Sequence, residues 1–151
     1  KGYTPLMFAA QGGHLSIVEK LAQHKADLDA KNVAGWTAIA LAAVTGRTEV
    51  VKRLAELKAN VDFKLKGVSL LMIVASKGKL DVVELLLGYG ADPFLKDHKG
   101  LTATGYAKSG GFSDVVTLLE KAVLASKNNL KTNESSSSMA APGIKKRRIS
   151  F

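Results

Sequence analysis

The residues that could support catalysis or metal binding are few, and they are scattered along the sequence. The three histidines are His14, His24 and His98. No two of them have the short spacing that is typical of a metal site. Lys108 is preceded by Ala107, where a phosphate-binding loop requires glycine. The chain has no cysteine, which excludes disulfides, thiolate ligands and thiol nucleophiles. The sequence therefore predicts a protein that is not an enzyme and binds no cofactor or metal.

The net positive charge is concentrated at the end of the chain. Residues 126–151 carry six Lys/Arg against the single acidic residue Glu134, which is more than half of the net charge of +9. The part from Ser126 to Gly143 is rich in Ser, Asn and Lys and has no hydrophobic periodicity. This composition predicts that residues 126–151 are a disordered basic tail.

Three short motifs overlap at the terminus of this tail. The first motif is a run of four basic residues, Lys145, Lys146, Arg147 and Arg148. This run resembles a nuclear-import signal. Arg147-Arg148-Ile149-Ser150 is similar to a site for a basophilic kinase, with Ser150 as the phosphorylated residue. Arg148, Ile149 and Phe151 resemble the docking motif of the type-one protein phosphatase, in which two apolar side chains enter pockets. The alternative is a basic terminus that has no partner.

An internal repeat before the tail predicts the secondary structure of that part of the chain. A hydroxyl residue follows a Gly-x pair at Thr4, Thr37, Ser69 and Thr102, with steps of 33, 32 and 33 residues. A second glycine, a β-branched pair and a leucine recur with the same steps. Four marks that share one period predict four repeats of about 33 residues.

Each mark has a local physical role. Thr4 is a good helix N-cap, Pro5 suits the first helical position, and the equivalent hydroxyl residues can cap the later helices. Gly13 and its equivalents suit a helix end with positive φ. The β-branched pair and the leucine fall on one face of a second helix. Each repeat is therefore predicted to be a helix–turn–helix unit.

These marks, together with Thr4-Pro5-Leu6 and Gly90-Ala91-Asp92, resemble ankyrin repeats. The resemblance implies an all-α solenoid of about four helix pairs with short β-turn fingers. The predicted units are repeat 1 at 1–34, repeat 2 at 35–66, repeat 3 at 67–99 and repeat 4 at 100–125, with the disordered tail at 126–151. The histidine that usually follows Thr-Pro-Leu is absent, which predicts that its hydrogen bond is missing in all four repeats.

The resemblance also implies a site. In this family the fingers and the outward side of the first helices form a concave face that binds other proteins. Ten residues map to that face: Tyr3, Val33, Trp36, Lys64, Lys66, Val68, Lys77, Lys96, His98 and Leu101. Trp36 is predicted to be an exposed binding anchor, or alternatively to pack on the neighbouring finger. The lysines form either a basic stripe for an acidic partner or a merely solvated set.

The sequence thus predicts a monomeric scaffold or adaptor in the cytoplasm, with the nucleus as a second location. No apolar run is long enough to span a bilayer. The partners are another protein on the concave face and, through the tail, the type-one protein phosphatase and a basophilic kinase. The alternative is a basic, nucleic-acid-associated protein that uses the tail as an import signal; it is less favoured because aromatic residues are not interleaved with the basic ones.

Overall fold

The computed structural model describes the backbone of residues 2–149 and the side chains of residues 2–131. Helices and one short hairpin build this part of the chain. The elements are α1 (Pro5–Gly12), α2 (Leu15–Gln23), α3 (Ala38–Val44), α4 (Thr48–Glu56), β1 (Lys64–Leu65), β2 (Val68–Ser69), α5 (Leu70–Ser76), α6 (Leu80–Gly88), α7 (Ala103–Gly110) and α8 (Ser113–Ile149).

The helices form two parallel rows. In the first row α1 packs on α3, α3 on α5 and α5 on α7, whereas in the second row α2 packs on α4, α4 on α6 and α6 on α8. The helices of each pair also pack on one another. The predicted all-α stack of helix pairs is therefore confirmed, and the only strands in the described part are the two-residue β1 and β2, which are antiparallel.

The hydroxyl residues cap the first-row helices as predicted. Thr4 Oγ1 accepts a hydrogen bond from the amide of Met7 at 3.2 Å, and Ser69 Oγ accepts one from the amide of Met72 at 3.3 Å. Thr37 and Thr102 make the equivalent bonds at 3.4 and 3.5 Å. Each bond satisfies an amide that has no partner within its own helix.

Two methionines make a different bond at the position of the missing histidine. The Met7 sulfur accepts a hydrogen bond from the amide of Thr4 at 3.5 Å, and the Met72 sulfur accepts one from the amide of Ser69 at 3.4 Å. Both methionines are buried. In repeats 1 and 3 a weak sulfur acceptor therefore completes a reciprocal capping box.

The core lies between the two rows of helices. Small residues such as Ala10 and Ala43 are fully buried in the first row and allow neighbouring helices to approach closely. Val51, Leu54 and Leu86 of the second row are also fully buried. The chain turns from the first row to the second at Gly13, whose φ of 76° is the left-handed conformation predicted for it.

The first six residues of the predicted tail, 126–131, are helical. The sequence predicted disorder from residue 126, yet residues 126–131 continue α8 as helix. These residues extend a helix whose earlier part is anchored by the buried Val115 and Leu119, so helix already nucleated by packing propagates into a polar segment.

Candidate functional site: the finger surface

The connections between repeats project as three fingers, here called finger 1 (residues 27–37), finger 2 (residues 60–69) and finger 3 (residues 92–102). Finger 1 closes with the loop Val33-Ala34-Gly35: the amide of Asn32 donates to the carbonyl of Trp36 at 3.0 Å, and Gly35 has a φ of 89°. The buried Asn32 Oδ1 accepts the amides of Ala34 and Trp36, both at 3.0 Å. One side-chain oxygen thus fixes the shape of the tip.

The tip of finger 3 has the same hydrogen-bonding pattern, but the acceptor is a carboxylate oxygen instead of an amide oxygen. Asp97 Oδ1 accepts the amides of Lys99 and Leu101 at 2.8 and 2.9 Å. The Tyr106 hydroxyl, from α7, donates to Asp97 Oδ2 at 2.6 Å. This bond is the main cause that lowers the pKa of Asp97 from its ordinary value, while the Asp97 carboxylate raises the pKa of Tyr106. Asp97 therefore ties the finger to the first-row helix behind it.

Finger 2 is one residue shorter, as the step of 32 residues requires. Leu65 pairs with Val68 across the two-residue turn Lys66-Gly67, whose φ angles are 51° and 84°. Positive φ at both central residues defines a type I′ turn, whose twist suits a two-residue hairpin. The shorter tip needs no Asx residue, and Leu65 occupies the place of Asn32 and Asp97.

Carboxylates connect the fingers at their bases. Asp29 Oδ1 accepts the amide of Asn60 from the next finger at 2.9 Å, and Asp62 Oδ1 accepts the amide of Asp92 at 2.9 Å. These bonds join successive repeats outside the helical core. The three fingers therefore form one continuous ridge.

Most of the predicted concave-face residues are accessible on this ridge or beside it. Val33 and Leu101 are 85% and 40% exposed. The exposed polar members are Lys64, Lys66, Lys77, Lys96 and His98. Tyr3 and Val68 are half-buried.

Trp36 departs from the expectation that it is exposed. It is half-buried, and its ring centroid lies 6.3 Å from that of the buried Phe63 in finger 2. Lys31 Nζ lies 5.9 Å from the centroid of the same Phe63 ring. Trp36 thus packs on the neighbouring finger, which was the alternative interpretation, and part of the residue stays accessible.

The sequence analysis missed an exposed lysine of the ridge. Lys31 precedes Asn32 just as Lys64 precedes Leu65 and Lys96 precedes Asp97. The steps between the lysines are 33 and 32 residues, the same as between the capping residues. The spacing that identifies the capping residues also identifies Lys31, because Lys31, Lys64 and Lys96 are separated by the same steps.

The histidines His14, His24 and His98 are all exposed. Among the residues described, no group of three His, Asp or Glu side chains could hold a metal ion. No described helix combines the length and apolar character needed to cross a membrane. The side chains of the terminal motifs, from Lys145 to Phe151, lie outside the described residues.

Comparison with known proteins agrees with the repeat pattern. Two family models match, "Ankyrin repeats (3 copies)" over residues 1–66 and "Ankyrin repeats (many copies)" over residues 54–107. A curated relative, Protein HOS4 of Saccharomyces cerevisiae, is 42% identical over 59 residues, which cover 36% of this chain. The match spans only 5% of the length of that relative.

Proposed function

We propose that this chain, whose residues 1–107 are ankyrin repeats, is a non-enzymatic scaffold that binds a partner protein on its finger ridge. The observation that carries the proposal is the accessibility of apolar side chains there, above all Val33 at 85% exposed. The fingers are held to one another and to the helices by hydrogen bonds, so the surface is preorganised and loses little entropy on binding.

Site-specific cross-linking tests this proposal. A photo-reactive amino acid is placed at Val33 or Leu101 in the full-length chain, and, as a matched control, at the exposed second-row residues Lys20 or Lys52. We expect the same partner to be captured from the ridge positions and not from the second row. Capture at equal yield from both surfaces would contradict the proposal.

Trp36 is proposed as an anchor within this surface. Trp36→Ala should weaken binding of the captured partner by about 2 kcal/mol, since aromatic residues dominate interface energetics. Because Trp36 also packs on Phe63, the variant should be less stable too, so binding is measured at a temperature at which circular dichroism shows it folded. A folded variant with unchanged affinity would leave Trp36 only a packing role.

We further propose that the terminus recruits the type-one protein phosphatase through Arg148, Ile149 and Phe151, and that phosphorylation of Ser150 by a basophilic kinase releases it. The spacing of Ile149 and Phe151 supports docking as an extended strand, which directs both side chains to one side. Phosphate would add nearly two negative charges beside two arginines.

Three peptides spanning residues 141–151 test the terminus: native, phosphorylated on Ser150, and Ile149→Ala with Phe151→Ala. The native peptide should bind the phosphatase with micromolar affinity, and the others should bind at least tenfold more weakly, about 1.4 kcal/mol. Equal affinities would refute docking.

Nuclear import by Lys145–Arg148 is proposed as well, and Lys146→Ala with Arg147→Ala should then keep a fluorescent fusion cytoplasmic.

A further inference from the structure

We propose that the partner segment on the finger ridge is an extended acidic peptide with a carboxylate at every third residue. This inference rests on the proposed function and specifies the chemistry of the partner. It arises from the column of equivalent lysines Lys31, Lys64 and Lys96, all exposed. Lys66 and Lys99, each directly before the glycine of its finger tip, form a second, shorter column that is also exposed.

Among the residues whose side chains the structure describes, these lysines have no acidic partner. The ion pairs among residues 2–131 join Arg53 to Glu19 and Glu56, and Lys108 to Glu120. None of them involves a finger lysine. The ammonium groups are therefore available to carboxylates from outside, apart from the contact of Lys31 with the Phe63 ring.

The carboxylates of the fingers are occupied by backbone amides. Asp27 and Asp92 accept the amides of Asp29 and Phe94. Asp29 and Asp62 bridge to the next finger, and Asp97 is bound by two amides and the Tyr106 hydroxyl. Acidic groups thus stay at the finger bases or inside a tip, while the basic groups extend into solvent.

The repeat geometry sets the spacing of the column. Each repeat advances by one packed helix, a step of about 8–10 Å. In a polyproline II peptide every third residue lies on the same side, and three residues rise by about 9.3 Å. In a β-strand, same-side residues are about 6.7 Å apart, which is too short for this step. Carboxylates at every third position of a polyproline II segment therefore match the lysines one for one.

The same surface is less suited to nucleic acid. Stacking of unpaired bases requires free aromatic faces. On the ridge, Trp36 is half-buried and packs on Phe63, and the exposed Phe94, at the base of finger 3, lies beside Glu120 and Leu124 of α8. The ridge instead presents aliphatic Val33, Val68 and Leu101 among its lysines. Aliphatic side chains next to ammonium groups suit a peptide in which apolar residues separate the acidic ones.

Two peptides of identical composition test the spacing. One consists of four Glu-Pro-Pro triplets, and its isomer has the four Glu contiguous with all the prolines following. Binding to the full-length chain is followed by the fluorescence of Trp36, the sole tryptophan, which lies on the ridge. Peptide bound only to the basic terminus should leave this signal unchanged. We expect the triplet peptide to bind at least fivefold more tightly than its isomer at low salt.

Two matched variants test the lysines. Lys64→Gln with Lys96→Gln should weaken binding of the triplet peptide at least fivefold and reduce its salt dependence. Lys20→Gln with Lys52→Gln removes the same charge from the second row and should have no effect on the Trp36 signal. Equal binding of the two isomers, or equal effects of the two variants, would overturn the inference.

Two further outcomes separate this inference from the function on which it rests. A single-stranded oligonucleotide that binds the ridge more tightly than the triplet peptide would also overturn it. If a partner is captured at Val33 and Leu101 but binds the Lys64/Lys96 variant normally, the ridge is a binding surface and the acidic-peptide inference is wrong. If nothing is captured there and the triplet peptide also fails, both are wrong.

Discussion

The hydroxyl of Tyr106 lies 2.6 Å from Asp97, and this contact makes the stability of finger 3 dependent on pH. The folded pKa of Asp97 lies below its ordinary value, chiefly because of this bond. The ionised carboxylate therefore stabilises the fold above that ordinary value, and the contribution is lost as the pH falls through the folded pKa.

Tyr106→Phe should shift the pKa of Asp97 back toward its ordinary value and lower the free energy of unfolding at neutral pH. The difference from the parent chain should shrink in acid, where Asp97 is protonated in both proteins. Carboxyl titration by NMR and urea unfolding at several pH values measure the two effects. Tyr3→Phe, a half-buried tyrosine in repeat 1, is the control, and an unchanged Asp97 titration in the Tyr106 variant would contradict this account.

Residues that shape the backbone close to them in sequence were predictable. The caps at Thr4 and Ser69 and the positive φ of Gly13 follow from local preferences that recur in every repeat. The ring contact of Trp36 with Phe63 was left open by the sequence analysis, and the bond from Tyr106 to Asp97 was missed. Both are specific to one finger, so the repeat pattern contains no signal for them.

At the scale of the element, the turn of finger 2 contains a glycine whose replacement by alanine would strain the backbone without causing a steric clash. A Cβ on Gly67 would meet nothing within 4 Å, although its φ is 84°. Gly67→Ala should therefore cost about 1 kcal/mol of unfolding free energy through backbone conformation alone. Gly88, in the last position of α6, also has open space around it and no positive φ. Gly88→Ala should instead be neutral or stabilising, by up to about 1 kcal/mol, and equal losses in both variants by urea unfolding would refute the distinction.

The cap of α5 allows a second prediction at this scale. Ser69 is buried and its hydroxyl accepts the Met72 amide, so Ser69→Ala should cost about 1 kcal/mol of unfolding free energy. The control is Ser16→Ala, an exposed position in the first turn of α2, which should change stability by less than about 0.5 kcal/mol. Chemical unfolding monitored by circular dichroism measures both values, and a neutral Ser69→Ala would show that the cap contributes nothing.

The two ends of the stack differ at the scale of the whole molecule. Ile17 is 48% exposed, whereas the equivalent Val50, Val82 and Val115 are at most 1% exposed because the preceding repeat covers them. On repeat 4, polar residues occupy positions that are small or apolar in the inner repeats. Lys108 stands where Ala75 does and Glu120 where Leu87 does, and the two side chains form an ion pair at 3.1 Å. Repeat 4 therefore has an exposed ion pair at two positions that are small or apolar in the inner repeats, as expected for a face in contact with water.

Because of this difference, truncation to alanine should cost different amounts of unfolding free energy at the equivalent positions Ile17 and Val50. Val50→Ala should lower the unfolding free energy by about 2 kcal/mol, since a fully buried side chain is truncated. Ile17→Ala removes more atoms yet should cost less than about 1 kcal/mol, because the side chain is half exposed. Thermal and urea unfolding compare the variants, and a larger loss for Ile17→Ala would mean that another part of the chain covers the first repeat.

The single-residue difference between the fingers also has a practical consequence for engineering. Finger 2 closes with two residues and fingers 1 and 3 with three, and α3 still packs on α5 across finger 2, although less extensively than the other first-row neighbours pack on each other. A change of chain length at a tip is thus accommodated by a change of turn type, and the order of the helices in both rows is kept. The tips are therefore natural insertion points, at which foreign recognition loops can be grafted into this scaffold without redesigning a helix.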